Sequence, residues 1–130
     1  MAEGMNMNID KTAEYYHNQA DESLCRCAYC RNYYREIRQG HPQLADYLGR
    51  IGIDIEKPFE VIPGEPWDGY IEYLGAQYIV FGDPAGFQGK EVNGVEINVA
   101  ESHPVTDINE QHFVIEVSPI RLKWTSPAGD

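Results

Sequence analysis

The sequence predicts an α+β fold, an N-terminal helical pair packed on a mainly antiparallel β-sheet. Three observations predict it. Apolar residues recur at helical spacing between positions 28 and 51. From residue 59 onward, short runs of branched and aromatic residues alternate with polar ones. The helical patterns come first and the strand patterns follow as a block, the order expected when helices and sheet are segregated.

The first nine residues read as a frayed tail ahead of one α+β domain over 10–130. Residues 10–22 are ambiguous. Ile9, Ala13, Tyr16 and Ala20 fit a helical stripe, whereas Glu14-Tyr15-Tyr16-His17 also suits a strand. From Ala28 to Gln39 the pattern is a helix. Cys30, Tyr33, Tyr34 and Ile37 stand at i, i+3, i+4 and i+7, and Arg31, Arg35, Glu36 and Arg38 lie mainly off that face. Gly40 is the expected stop, through a left-handed backbone. Pro42 suits the first turn of a second helix, where its missing N–H costs nothing. Leu44, Leu48 and Ile51 form that helix's buried stripe, and Gly52 closes it.

Strands follow. Phe59-Glu60-Val61-Ile62 is bracketed by Pro58 and Pro63. Tyr70 to Phe81 is a longer run in which Gly75 marks a bulge or turn. Val95, Ile97 and Val99 alternate with polar residues, as do Phe113, Ile115 and Val117, and then Ile120, Leu122 and Trp124. Asn93-Gly94 suits a tight turn with positive φ.

Composition narrows the function. The chain has 130 residues, 42% of them hydrophobic, enough for one folded domain. Its formal net charge of −11 opposes phosphate-rich partners, so nucleic acid and anionic membranes are not expected. No apolar run reaches the length of a membrane span, and Met1 to Lys11 lacks the pattern of a signal peptide. The cysteine count of 3 is odd, and all lie between Cys25 and Cys30, unlike a secreted disulfide framework. A cytoplasmic protein is expected.

The densest chemical signal is Cys25-Arg26-Cys27-Ala28-Tyr29-Cys30. Cys27 and Cys30 have C-x-x-C spacing, which lets two sulfurs face one point around a turn. Cys25 and Cys27 share a side only where the backbone is extended. An extended lead-in entering a helix near Ala28 would therefore converge all three sulfurs. Tetrahedral zinc at a Zn–S distance of about 2.3 Å holds sulfurs roughly 3.8 Å apart. Cys25, Cys27 and Cys30 are thus candidate zinc ligands. A fourth ligand could come from His17, His41, His103 or His112, or from Asp21 or Glu22.

Two other uses of the trio stay open. Arg26, Arg31 and a helix N-terminus would favour thiolates, making a redox pair. Alternatively the cysteines simply pack, with Cys30 on the apolar face.

Other motifs fall away. Gly86-Phe87-Gln88-Gly89-Lys90 lacks two groups of a phosphate loop, since Pro84 stands at the first glycine and Glu91 at the Ser/Thr position. It reads as a connection between strands. Glu65 and Asp68 read as solvated surface rather than an acid/base pair. Trp67 lies in the loop Pro63-Gly64-Glu65-Pro66-Trp67-Asp68-Gly69 and is expected to fold back as a lid on the core.

The strings Cys25 to Tyr34, Gly52 to Glu60, Tyr78 to Gly82 and His112 to Val117, with Leu122-Lys123-Trp124, resemble a family of small bacterial proteins built on a C-x-C-x-x-C-x-N-Y core. The resemblance implies a single bacterial domain. No established activity comes with it, so no catalytic residue is carried over. The expected function is a non-enzymatic zinc-binding domain. The alternatives are a protein-interaction module using the acidic surface, Trp67 and a sheet edge, or a thiol redox protein.

Overall fold

The computed structural model describes residues 7–20 and 24–125. Among the described residues there are three helices, α1 (Ile9–His17), α2 (Ala28–Gly40) and α3 (Pro42–Arg50). Six strands follow: β1 (Glu60–Pro63), β2 (Tyr70–Phe81), β3 (Lys90–Val92), β4 (Val95–Val99), β5 (His112–Ser118) and β6 (Ile120–Lys123). The fold is α+β, as the order of patterns predicts.

Every strand pairing is antiparallel. The sheet runs β1-β2-β5-β4-β3, and β6 continues beside β2 where β5 stops. Long β2 thus serves two partners on one side, β5 along Ala76–Phe81 and β6 along Tyr70–Tyr73. The β1–β2 register slips between Ile62 and Pro63, beside Gly75, where the sequence suggests a bulge. Asn93 and Gly94, with φ of 51° and 89°, turn β3 into β4. Asp68 and Gly69 do the same at the β1–β2 end, with φ of 56° and 82°. The backbone positive at both central positions is the hairpin-turn conformation that matches strand twist.

One sheet face carries α2 and α3. Tyr33 and Ile37 of α2 and Leu44 and Leu48 of α3 share a core with Tyr73, Tyr78, Ile97, Ile115 and Ile120. Buried phenols need partners, and these have them. Tyr78 donates to the Ile55 carbonyl at 2.7 Å. Its hydroxyl stands 2.6 Å from that of Tyr33, so Tyr33 is the donor there. A second cluster on the opposite face joins Ile79, Phe81 and Val114 to Tyr15, Phe59, Ala100 and Ile108. This explains the burial along β2, which alternates through its first half and is continuous through its second. The second half has both faces covered.

The structure departs from the sequence reading at four places. Of residues 10–22, left open between helix and strand, those up to His17 belong to α1, and residues 21–22 lie outside the described residues. Within the expected tail of residues 1–9, Met7 bridges Gly82 and Asn8 donates to the Phe81 carbonyl at 2.8 Å. Residues 1–6 lie outside the described residues. Gly40 does not stop α2 through a left-handed backbone. It is the helix's last residue, and its constraint is a close approach, since a Cβ there would lie 2.9 Å from Leu122 Cδ2. Trp67 is no lid: it sits beside the Asp68-Gly69 turn and is 82% exposed. A lid would need slack loop, but Trp67 and Tyr70 exchange both backbone hydrogen bonds, which fixes the hairpin tip away from the core.

Among the described residues, no helix is long and apolar enough to cross a membrane.

α1 completes the sheet in an unusual way. β1 reaches only to Gln77 on β2. Beyond it the β2 edge is satisfied by α1 side chains. The Tyr16 hydroxyl accepts from the Ile79 N–H and donates to the Ile79 carbonyl, each at 2.8 Å. The Thr12 hydroxyl accepts from the Phe81 N–H at 3.0 Å. Both side chains are buried.

Candidate metal centre

Cys25, Cys27 and Cys30 converge. Their Sγ atoms all lie within 4.8 Å of one another. Zinc requires roughly 3.8 Å between tetrahedral sulfurs, so the three stand within about 1 Å of that spacing.

The local backbone explains the convergence. α2 begins at Ala28, and Cys27 is its N-cap, extended at φ −67° and ψ 162°. The Cys27 sulfur accepts from the Cys30 N–H at 3.4 Å, a thiol version of the usual hydroxyl cap. That bond brings residue 27 over the first turn, beside Cys30. Cys25 precedes the helix, and the Tyr34 hydroxyl donates to its carbonyl at 2.9 Å. Tyr34 lies one turn beyond Cys30, so α2 itself holds the lead-in against the cluster.

Behind the site α2 is fixed rigidly. The Tyr73 hydroxyl donates to the Tyr29 carbonyl at 2.7 Å. Asn32, fully buried, donates to the Lys123 carbonyl at 3.0 Å and accepts from the Thr125 N–H at 2.9 Å. Thr125 also donates to Glu36, at 2.9 Å, and Glu36 is itself largely buried. Two polar residues therefore share the sheet-facing side of α2 with Tyr33 and Ile37. The apolar periodicity could not reveal them. The signal for Asn32 was its place directly after the cysteines in the C-x-C-x-x-C-x-N-Y string.

The three thiols differ chemically. Cys25 and Cys27 are exposed and Cys30 is half-buried. The Cys25 thiol is held below its ordinary range, chiefly because its sulfur accepts from the Cys27 backbone N–H, then from the neighbouring thiols. Burial pushes the Cys30 thiol up, and its bonds to Cys27 and Cys25 add to the effect. Burial likewise raises the Tyr34 phenol, with the adjacent thiols as the lesser cause. A metal would oppose the effect of burial at Cys30, because coordination favours thiolate.

None of the candidate fourth ligands joins the trio among the described residues. His41 Nε2 lies 3.0 Å from the Arg121 carbonyl. His103 Nδ1 lies 2.7 Å from the Pro104 carbonyl. His112 contacts the Thr106 hydroxyl and the Glu110 carbonyl. His17 ends α1 and stands outside the cluster. Asp21 and Glu22 lie outside the described residues.

Because Tyr34 holds Cys25 through one hydrogen bond, Tyr34→Phe should separate positioning from stability. Zinc affinity, read by competition with a chromophoric chelator, should fall about tenfold, the lower end of effects seen for groups that orient ligands. The metal-free melting temperature should move by no more than about 1 kcal/mol would give, since the bond is exposed. Unchanged affinity would remove Tyr34 from the site.

No protein-family model, curated protein or solved structure matches the chain, so the functional reading rests on the geometry of the site itself.

Proposed function

We propose that this protein is a non-enzymatic zinc-binding domain, with Cys25, Cys27 and Cys30 as ligands. The observation that carries the reading is the convergence of the three sulfurs within 4.8 Å. Soft thiolates select zinc among the abundant divalent cations. The lead-in 24–27 has no regular secondary structure, so a metal bridging it to the first turn of α2 would order it. Binding of that kind is folding free energy.

Metal analysis of protein purified without chelator tests this. One zinc per chain is expected. At a free zinc concentration a hundredfold above Kd, the stabilisation is about 2.7 kcal/mol. For a chain of this length that is a rise on the order of 10 °C in melting temperature. Substoichiometric metal together with melting unaffected by chelation would reject the proposal.

A thiol redox role is the second reading. What favours it is an exposed Cys25, with a lowered pKa, beside two further thiols. Alkylation of the native metal-free protein at mildly acidic pH separates the two readings. Rapid modification confined to Cys25 supports redox chemistry, and uniformly slow labelling opposes it.

A further inference from the structure

The sheet face opposite α2 and α3 changes character along its length. Around Ile79, Phe81 and Val114 it is apolar and covered. Side chains alternate between the faces of a strand, so further along β5 the same face presents Glu116 and then Ser118. Asn98 of β4 and Gln77 of β2 stand directly across from Glu116 on either side. Residues paired across strands share a face, so a polar row begins where the apolar cover ends. An open cleft of about 720 Å³ lies there. Ligand pockets typically span about 300–1,000 Å³. Its wall includes Glu116, Ser118 and Asn98 from the sheet, Glu101 and Ser102 beyond β4, and Phe87 from the β2–β3 connection.

Glu116 is half-buried and held in place. Gln77 is 3% exposed, and its amide nitrogen donates to Glu116 Oε1 and to the Ser102 carbonyl, each at 3.0 Å. Both N–H donors are thereby directed at the cleft wall. The other atom of the amide goes without: Gln77 Oε1 is buried and has no hydrogen-bond partner. Turning the amide over would set that oxygen against the Glu116 carboxylate and the Ser102 carbonyl, acceptor against acceptor. A buried acceptor left unpaired calls for a compensating role, and here the amide orients a carboxylate at the cleft. That carboxylate has no counter-ion. All 10 lysines and arginines lie within the described residues, and none of them lines the cleft. Glu116 makes no ion pair among the described residues.

We propose that this cleft binds a small organic ammonium ion. Glu116 would be its counter-ion, and Glu101 would add negative potential at the rim. An ammonium has N–H donors to spare, which the Ser118 hydroxyl and the Asn98 side-chain oxygen would accept. Phe87 would face the carbon chain. A hard divalent metal fits less well, since calcium takes about six to eight oxygen ligands. Among the described residues, the group close enough to hold a metal is the cysteine trio, not these carboxylates. The cleft shares no residue with that trio, so the proposal stands apart from the zinc reading.

The probe is butylammonium chloride, titrated into the full chain at constant ionic strength and followed in ¹H–¹⁵N spectra. Saturable shifts are expected at the amides of residues 98–102 and 116–118, and at the Gln77 side-chain amide. The neutral isostere 1-butanol should bind about tenfold more weakly or worse, the difference one charge-assisted bond makes. Glu116→Gln removes the charge but keeps an acceptor for Gln77, so its spectrum should stay folded while butylammonium affinity falls about tenfold or more. Glu65→Gln makes the same charge change at an exposed carboxylate outside the cleft and should leave affinity unchanged. Should Glu116→Gln fail to fold, Glu101→Gln at the exposed rim takes its place, with a loss of about threefold expected. Equal binding of butanol, shifts that never saturate, full affinity in the cleft variant that folds, or an equal loss in Glu65→Gln would overturn the proposal. Calcium displacing butylammonium at a comparable concentration would overturn the organic part of it.

Discussion

Cys27→Ser should lower zinc affinity by about a hundredfold or more and leave the metal-free protein at least as stable. The two halves follow from the ligand role proposed for this sulfur and from the helix cap it makes. Structural zinc sites gain roughly 10–16 kcal/mol on binding, which shared among four ligands is about 3 kcal/mol for each. That corresponds to at least a hundredfold in affinity. As N-cap of α2, however, Cys27 accepts from the Cys30 N–H at 3.4 Å, and serine is among the best residues for that position. The shorter hydroxyl should keep or improve the cap. Thermal melting with and without zinc, beside a zinc competition titration, reads both. Wild-type zinc affinity would show that Cys27 is not a ligand. A collapse in metal-free melting would show that its sulfur matters for packing.

Tyr16→Phe should cost about 3 kcal/mol, a drop on the order of 10 °C in melting temperature. The ring can stay in place, so its apolar burial is kept. What is lost is the one hydroxyl that serves both the N–H and the carbonyl of Ile79. Each group left buried without a partner costs about 1–3 kcal/mol. Ile79 is fully buried, so water does not replace the hydroxyl there. Chemical denaturation of the variant gives the number directly. A change below about 1 kcal/mol would mean that the β2 edge finds another partner.

Those two residues mark the limits of what the sequence discloses. Cys27 was readable, because an i, i+2, i+5 set of thiols converges only if an extended segment enters a helix. The helix does begin at Ala28. Leu44, Leu48 and Ile51 were readable for the same kind of reason, since α3 and its C-cap Ile51 bury them on one side, with Ala45 beside them. Tyr16 was not. Its role depends on where β1 ends on a strand more than 60 residues away, and no local periodicity encodes that. Asn32 and Glu36 escaped because they are polar residues on a buried face, satisfied by Thr125 from the far end of the chain. Trp67 was misplaced because Pro63 to Gly69 looks like a slack loop. The Asp68-Gly69 pair in fact makes a two-residue turn that holds the tryptophan in solvent.

The bonds from α1 to β2 also set a clock. Tyr16 and Ile79 are 63 residues apart, and Thr12 and Phe81 are 69 apart. A helix of 9 residues is too short to persist alone in water. Of the described helices and strands α1 leaves the ribosome first, yet the sheet that holds it is not complete until β2 has paired with the later strand β5. The earliest made of the described helices and strands is therefore the one that settles last, and a nascent chain halted before residue 112 should carry residues 9–17 without a helix to protect them from protease.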